Sequence, residues 1–218
     1  MAISLAANAL TTLAAAQSHV SDVTVASEDK IKRLINVASE FIAREVGRVL
    51  HQGAVAAELH AGQGHVRLYL KRYPILSAGL VVSFDGTALA AADFEIDSLD
   101  EGVLYKRSGW AWIPQSLPGA VYEPIAGSEE KLYSVAYTGG YVTPSQETPS
   151  NARTLPWDLE QVCLELVGQL FVRSTRDPTI TSEKIGSWGA SYAAGSAAYN
   201  LTEGQREILN AYRRILQA

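Results

Sequence analysis

Residues 27–50 read SEDKIKRLINVASEFIAREVGRVL, and their apolar positions recur at the spacing of one helical face. Ser27 is a favourable N-cap, and Glu28 and Asp29 place negative charge at the positive end of the helix dipole. Gly53 follows and can end the element. The pattern predicts a long amphipathic helix whose buried face comprises Ile31, Leu34, Ile35, Ala38, Phe41, Ile42 and Val46.

A second long helix is predicted from about residue 156 to residue 174. Pro156 suits the first helical position, because an N–H there would have no partner within the helix. Its broad apolar face comprises Leu159, Val162, Cys163, Leu166, Val167, Leu170 and Phe171. The simplest arrangement packs the two helices on each other, with Phe41 and Leu166 buried where they meet.

Between these helices the hydrophobic pattern changes from helical spacing to alternation. Asp85-Gly86 is typical of a hairpin turn, and Trp110 and Trp112 alternate about Ala111. Short strands at regular spacing indicate an antiparallel sheet or a small barrel. The predicted strands cover residues 66–70, 80–84, 94–97, 102–106 and 132–137.

The sequence therefore predicts an α+β fold, in which two long packed helices carry an antiparallel β-rich insert and a C-terminal arm. Thr202 and Gln205 form a capping-box pattern that opens a final helix in this arm. We expect an N-terminal lead-in at 1–26, a helical core at 27–58 and 151–178, the insert at 59–142, and the arm at 179–218.

The composition excludes several classes of protein. The 218 residues include 18 Lys and Arg, 23 Asp and Glu, and 1 Cys, for a net charge of -5. One cysteine excludes a disulfide scaffold and a cysteine-based zinc site. No apolar run is long enough to span a membrane, and the acidic balance is unlike that of a protein that grips nucleic acid. Residues 1–21 lack a basic region, so we expect mature sequence there rather than a signal peptide.

The chain carries no motif typical of a catalytic, cofactor or metal site, so we expect a protein that is not an enzyme. Residues 62–64 read GQG ahead of a strand rather than a helix, and residues 189–191 lack the second glycine of a nucleophile elbow. Cys163 is expected to be a small core residue. The spacing of a helical zinc site is also missing among the histidines, which are His19, His51, His60 and His65.

Two groups in the β-rich insert leave another interpretation open, that of a carbohydrate-binding or hydrolytic module. Paired carboxylates can hydrolyse glycosides, and aromatic rings can stack on sugars. We favour a solvated strand face for the acids, and apolar and rim positions of a small barrel for the aromatic residues. The acids are Asp93, Glu95, Asp97, Asp100 and Glu101, and the aromatic residues are Tyr105, Trp110 and Trp112.

Several segments, in the same order along the chain, resemble those of the head–tail connector (adaptor) proteins of tailed phages. The first long helix resembles the family's first conserved helix, which begins with an acidic turn and ends in a Gly-Arg pair, here Gly47-Arg48. The other matching segments are residues 70–77, 135–141, 155–159, 182–187 and 209–214. The second of these matches the pattern V-x-Y-x-x-G-Y, and the last matches L-x-x-Y-R.

The resemblance implies a structural virion protein that is made in the host cytoplasm and has no membrane partner. Connectors of this type form a ring, usually dodecameric, beneath the portal protein. The ring extends the DNA channel, through which double-stranded DNA passes without sequence-specific binding, and it offers a surface to a distal neck or tail protein. An acidic chain suits this role, because lysines in the lumen would retain phosphates. A capsid decoration protein or a tail-completion protein is the alternative within the structural class.

The C-terminal arm is the candidate portal-docking segment. Aromatic residues among Gly, Ser and Ala are typical interface anchors, and connectors of this type dock on the portal through their C-terminal region. A short helix is marginal alone, so we expect it to order against a partner, the alternative being that it folds back on its own subunit. The candidate portal-binding residues are Trp188, Tyr192, Tyr199, Ile208, Leu209, Tyr212, Arg213, Arg214, Ile215 and Leu216.

Overall fold

The computed structural model describes residues 3–20, 28–62, 64–110, 133–175, 182–185, 188–191 and 201–213. The chain divides into two compact units, a helical unit of Met1–His51 with Val142–Ala218, and a β-rich unit of Gln52–Tyr141. This confirms the predicted α+β class. Among the described residues, none of the helices combines the length and the apolar content needed to cross a membrane.

The helical unit has α1 at Leu13–His19, α2 at Glu28–Val46, α3 at Trp157–Thr175 and α4 at Glu203–Ala211. The two long helices, α2 and α3, pack on each other, and both α1 and α4 contact each of them. Thr12 caps α1 by accepting a hydrogen bond from the backbone N–H of Ala15 at 3.2 Å. Gly47 has φ +72 and ends α2, because this conformation is unfavourable for residues with a Cβ.

The core of the helical unit confirms the predicted burial of Phe41, 8% exposed, and Leu166, 1% exposed. Where α2 and α3 approach, the Ser39 hydroxyl lies 3.7 Å from the sulfur of Cys163. Three positions predicted to be buried are only half-buried: Leu34, Leu170 and Phe171. Leu34 and Phe171 lie at the margins of their apolar faces, and Leu170 lies in the last turns of α3. The ammonium of Lys30 covers the Phe171 ring at 5.0 Å from its centroid.

The described residues of the β-rich unit form two small antiparallel sheets, which agrees with the sheet alternative. The four-stranded sheet has the order β1-β7-β3-β4, and the three-stranded sheet has the order β2-β6-β5. The strands are β1 Gly53–His60, β2 Arg67–Tyr69, β3 Ile75–Phe84, β4 Thr87–Ala88, β5 Glu95–Ser98, β6 Val103–Tyr105 and β7 Tyr133–Gly139.

The first strand differs from the sequence prediction, which assigned residues up to 58 to the helical core. In the structure β1 begins at Gly53 and pairs with β7 over its length, with a bulge between Val55 and Glu58. Residues 54–57 read AVAA, which carries little strand propensity. The long-range pairing with β7, rather than a local signal, therefore makes this segment a strand.

The core of the β-rich unit is built around Trp110, which is 2% exposed. Its indole N–H donates to the backbone carbonyl of Val66 at 3.2 Å, and its ring packs edge-on against Tyr133 with centroids 5.3 Å apart. Trp110 is therefore a core residue, as we favoured from the sequence, while Trp112 lies outside the described residues.

The C-terminal arm contains a hairpin that the sequence did not predict. Its strands are β8 at Ser182–Ile185 and β9 at Trp188–Ser191, and they pair antiparallel.

Candidate functional site

Three of the segments that resemble connector proteins meet in the helical unit. The guanidinium of Arg48 donates through Nε to the backbone carbonyl of Tyr212 at 3.1 Å. The Tyr212 hydroxyl contacts both carboxylate oxygens of Asp158, at 2.9 and 2.8 Å. These hydrogen bonds join three segments: the Gly-Arg pair after α2, the start of α3 and the end of α4. We call Arg48, Asp158 and Tyr212 the Arg48 cluster.

Helix α4 folds back on its own subunit, which is the alternative considered from the sequence. Thr202 and Gln205 form the predicted capping box. The Gln205 amide also donates to the Glu165 carboxylate of α3 at 2.7 Å, and Leu209 is 2% exposed. The Leu209 side chain is therefore almost fully covered within the subunit.

The remaining candidate portal-binding residues divide into two groups. Among those that the structure describes, Ile208 and Tyr212 are half-buried, and Arg213 is exposed with its guanidinium 3.8 Å from the Glu45 carboxylate. The others lie outside the described residues or have side chains that are not described: Trp188, Tyr192, Tyr199, Arg214, Ile215 and Leu216.

A second network lies in the β-rich unit around Glu58, which is 7% exposed. Its carboxylate accepts hydrogen bonds from the backbone N–H of Lys71 at 3.0 Å and from the Tyr137 hydroxyl. The Nε2 atom of His60 lies 2.9 Å from the same carboxylate. We call Glu58, His60, Lys71 and Tyr137 the Glu58 cluster; it joins two more of the resembling segments, 70–77 and 135–141.

The electrostatics of the Glu58 cluster keep Glu58 charged and Tyr137 neutral. Burial raises the pKa of Glu58, but the close contact with His60 and the hydrogen bonds from Tyr137 and the Lys71 backbone outweigh it, and the net pKa is lowered. Burial, and then the hydrogen bond to Glu58, raise the pKa of Tyr137. A carboxylate surrounded by donors has little capacity to accept a further proton, so this cluster is suited to holding strands together.

Glycine at position 139 has a steric explanation. A Cβ there would lie 2.4 Å from the carbonyl oxygen of Arg72 and 2.9 Å from a ring carbon of Tyr137. The Arg72 backbone N–H also donates to the Tyr137 hydroxyl at 3.1 Å, and the Gly140 N–H donates to the Pro74 carbonyl at 2.8 Å. The V-x-Y-x-x-G-Y segment therefore packs closely against the backbone of the segment at 70–77, and a side chain at position 139 would prevent this contact.

Sequence reasoning missed the Glu58 cluster, because its members are scattered along the chain and form no local motif. A lone glutamate between Ala57 and Leu59 was the available signal. A buried acid needs partners, but the sequence does not show that Glu58 is buried.

The other groups considered for chemistry have ordinary structural roles. Glu95 and Asp97 are exposed on β5, as expected for a solvated strand face, and Asp97 accepts a hydrogen bond from Arg67 at 2.7 Å. Burial raises the pKa of Cys163 to about 12, which disfavours the reactive thiolate. Within the described ranges, no group of three or more His, Cys, Asp or Glu residues could hold a metal ion.

Comparison with protein-family models gives no match, and comparison with curated protein sequences gives none either. Solved structures do share the fold. A chain in the neck of an empty GTA particle computed with C6 symmetry matches with a TM-score of 0.57 and 13% identity, covering 100% of this chain and 96% of that chain.

A chain in the neck of a native GTA particle computed with C12 symmetry matches with a TM-score of 0.50 and 13% identity, covering 99% of this chain and 94% of that chain. GTA denotes a gene transfer agent. At this level of identity the likeness concerns the fold alone. The protein therefore has, over its whole length, the fold of a chain from a phage-like particle neck.

Proposed function

We propose that the protein is a structural subunit of the neck of a tailed-phage-like particle, acting as a head–tail connector (adaptor). In this role it forms a ring below the portal protein and joins the head to the tail or neck. The observation that carries the proposal is the likeness, over the full length of the chain, to a neck chain at a TM-score of 0.57.

Ring formation is supported by the symmetry of the particles whose chains share this fold. Those necks were computed with C6 and with C12 symmetry. A chain of this fold is thus suited to repeat around an axis, and we propose a dodecamer. A closed ring would present a central channel for double-stranded DNA, and the net charge of -5 would limit the retention of phosphates.

The proposed partners of the ring are a portal protein on one side and a distal neck or tail protein on the other. The portal-docking residues are proposed within the arm at 179–218. Because Leu209 is occupied within its own subunit, the proposal rests on the other aromatic and apolar residues of the arm and on Arg213 and Arg214.

A structural role without catalysis is supported by the surroundings of three groups that were considered for chemistry, each of which is paired or buried. Glu58 is surrounded by donors, Asp97 pairs with Arg67, and Cys163 is fully buried. The alternative carbohydrate module loses one of its proposed stacking rings, because Trp110 is 2% exposed.

The test is the assembly state of the full chain, alone and mixed with the portal protein of the same particle. Light scattering and negative-stain images should give a ring with a central pore that binds the portal. A chain that stays monomeric in both conditions would contradict the proposal. Binding to assembled capsid shells, but not to the portal, would instead favour a capsid decoration protein.

A further inference from the structure

We propose that neighbouring copies in the ring join through Trp157 of one copy, which enters a groove between α2 and α4 of the next. The inference rests on the proposed ring, and it names the two surfaces that make it. Three observations support it. The Trp157 indole is exposed but is held against an anchored guanidinium. A groove of suitable size and chemistry lies between α2 and α4, and the indole and the groove lie on different flanks of the helical unit.

Trp157 is the first residue of α3 and is 75% exposed. The guanidinium carbon of Arg153 lies 3.5 Å from the centroid of its ring. That guanidinium is itself held, since Arg153 donates to the Leu155 carbonyl at 3.1 Å and to the Glu160 carboxylate.

Glu160 is 5% exposed and also accepts a hydrogen bond from the Thr11 hydroxyl at 2.7 Å. The indole is therefore presented by a rigid base, so little conformational entropy is lost when a partner covers it. Tryptophan and arginine in this arrangement are typical of the residues that dominate protein interfaces.

The groove lies between α2 and α4 and has a volume of about 420 Å³. This volume lies within the range of small-molecule pockets. Its apolar lining comes mainly from the half-buried Leu201, because Phe41 and Leu209 also line it but are only 8% and 2% exposed. Its polar lining comes from Glu45, Arg206, Asn210 and Arg213. We call this surface the α4 groove.

The chemistry of the α4 groove suits an indole. Arg206 and Arg213 line it, and both are exposed. Arg206 is exposed and forms no ion pair with another residue that the structure describes. Guanidinium groups are attracted to the face of an indole ring, and Leu201 offers the ring an apolar contact. An exposed tryptophan of a second copy therefore matches both parts of the lining.

Trp157 and the α4 groove belong to different flanks of the α2–α3 pair. On α2, Asn36 bonds the N-terminal segment through Ala6 and Ser4, whereas Glu45 pairs with Arg213 beyond α4. At ~100° per residue, Asn36 and Glu45 lie on opposite sides of the helix.

The same division holds on α3, where Glu160 bonds Thr11 and Asp158 bonds Tyr212. Trp157 lies about 60° from Glu160 but about 100° from Asp158 around the helix. The indole therefore lies nearer the flank of the N-terminal segment, while the groove lies on the flank of α4.

A closed ring requires this kind of separation. Each subunit must offer two different surfaces, one to each neighbour, because a contact made by the same patch on both subunits closes a dimer. A protruding indole on one flank and a groove on the other meet this requirement. Each subunit offers its indole to one neighbour and its groove to the other.

The test uses two variants of the full chain, each missing one of the two surfaces. Trp157→Ala removes the indole and keeps the groove, whereas Asn210→Trp fills the groove and keeps the indole. Val172→Ala, at an exposed apolar residue elsewhere on α3, is the matched control. Circular dichroism and thermal melting confirm that each variant folds, and native mass spectrometry counts the subunits.

We expect rings from the wild type and from Val172→Ala, and monomers from each of the two surface variants alone. Mixed and treated with an amine cross-linker, the two variants should form heterodimers, since one intact junction remains.

The role of Arg206 is tested by two further variants. Arg206→Glu should raise the concentration at which rings assemble by about tenfold, because a carboxylate is repelled by the face of the indole. Arg206→Lys keeps a cation beside the ring and should raise that concentration less. Equal assembly by the wild type and Arg206→Glu would contradict the place of the indole in the groove.

A ring that survives Trp157→Ala, or a mixture that yields no cross-linked heterodimer, overturns the inference and leaves the proposed ring standing. A wild type that forms no ring, even with the portal protein, overturns both.

Discussion

At the scale of single residues, the packing of the β-rich unit depends on the absence of a Cβ atom at Gly139. We expect Gly139→Ala to destabilise the β-rich unit by about 1–3 kcal/mol, because the new Cβ would collide with the Arg72 carbonyl at 2.4 Å. Gly204→Ala is the control, since a Cβ there meets nothing within 4 Å. The control should stabilise α4 by ~0.5–1 kcal/mol. Urea denaturation of both variants measures the difference, and equal effects would contradict it.

The lowered pKa of Glu58 implies that the stability of the fold depends on pH. The pKa of Glu58 is lowered from 4.5 in the folded chain, so its contribution is fully present above the unfolded pKa and is lost as pH falls through the lower, folded value. We expect Glu58→Gln to be less stable than the wild type at pH 7 and to depend less on pH below about 4.5.

The measurement for Glu58 is the denaturation midpoint between pH 7 and pH 3, with Glu95→Gln as the exposed control on β5. Glu95→Gln should follow the wild-type curve. Parallel curves for Glu58→Gln and the wild type would show that the Glu58 cluster does not stabilise the fold through its charge.

At the scale of elements, the two long helices depend on their shared core. Phe41→Ala and Leu166→Ala should each cost about 2–5 kcal/mol of unfolding free energy, because both side chains are buried and their removal leaves a cavity. Val172→Ala on α3 changes an exposed residue and serves as the control. Losses below about 1 kcal/mol at both core positions would mean that the helices tolerate looser packing than these contacts indicate.

The position of α4 changes how the C-terminal arm is tested. Truncation after Asp177 removes Leu209 and the Tyr212–Asp158 contact, so we expect it to destabilise the helical unit. Truncation after Arg213 preserves both and removes residues 214–218. If the arm docks on the portal, this shorter truncation should keep the fold and weaken portal binding.

A second variant completes the test of the arm, with Trp188, Tyr192 and Tyr199 all changed to Ala in the full chain. Pull-down against the portal protein measures binding, and thermal melting confirms folding. Full-strength binding by both the truncated chain and the triple variant would show that the arm is not the docking segment.

At the scale of the whole molecule, the proposal of a structural role without catalysis is testable. Ser191→Ala, Cys163→Ala and Asp97→Asn should leave particle assembly and infectivity close to wild type in a complementation assay. Asp97 has an exposed structural partner in Arg67, and Cys163 is buried beside Ser39. Loss of infectivity with a folded, assembled ring would favour an enzymatic role.

The two helices and several strands could be predicted because their signals are local. The face of α2 repeats every three or four residues, and Thr202 and Gln205 cap α4 within one turn. The Asp85-Gly86 turn follows from side-chain chemistry, and both residues adopt positive φ, 47 and 76. The sequence by itself therefore determined the class of the fold and the order of its main elements.

Other features were decided by tertiary structure, because they depend on residues far apart in the chain. The alanine-rich β1 is a strand through its pairing with β7, and Glu58 is buried where segments from three parts of the sequence meet. The same holds for α4, whose Leu209 is covered by its own subunit, and for Trp157, which stays exposed at the start of α3. Periodicity identifies an apolar face, but only the packing of distant elements determines which apolar side chains a subunit buries and which it leaves exposed.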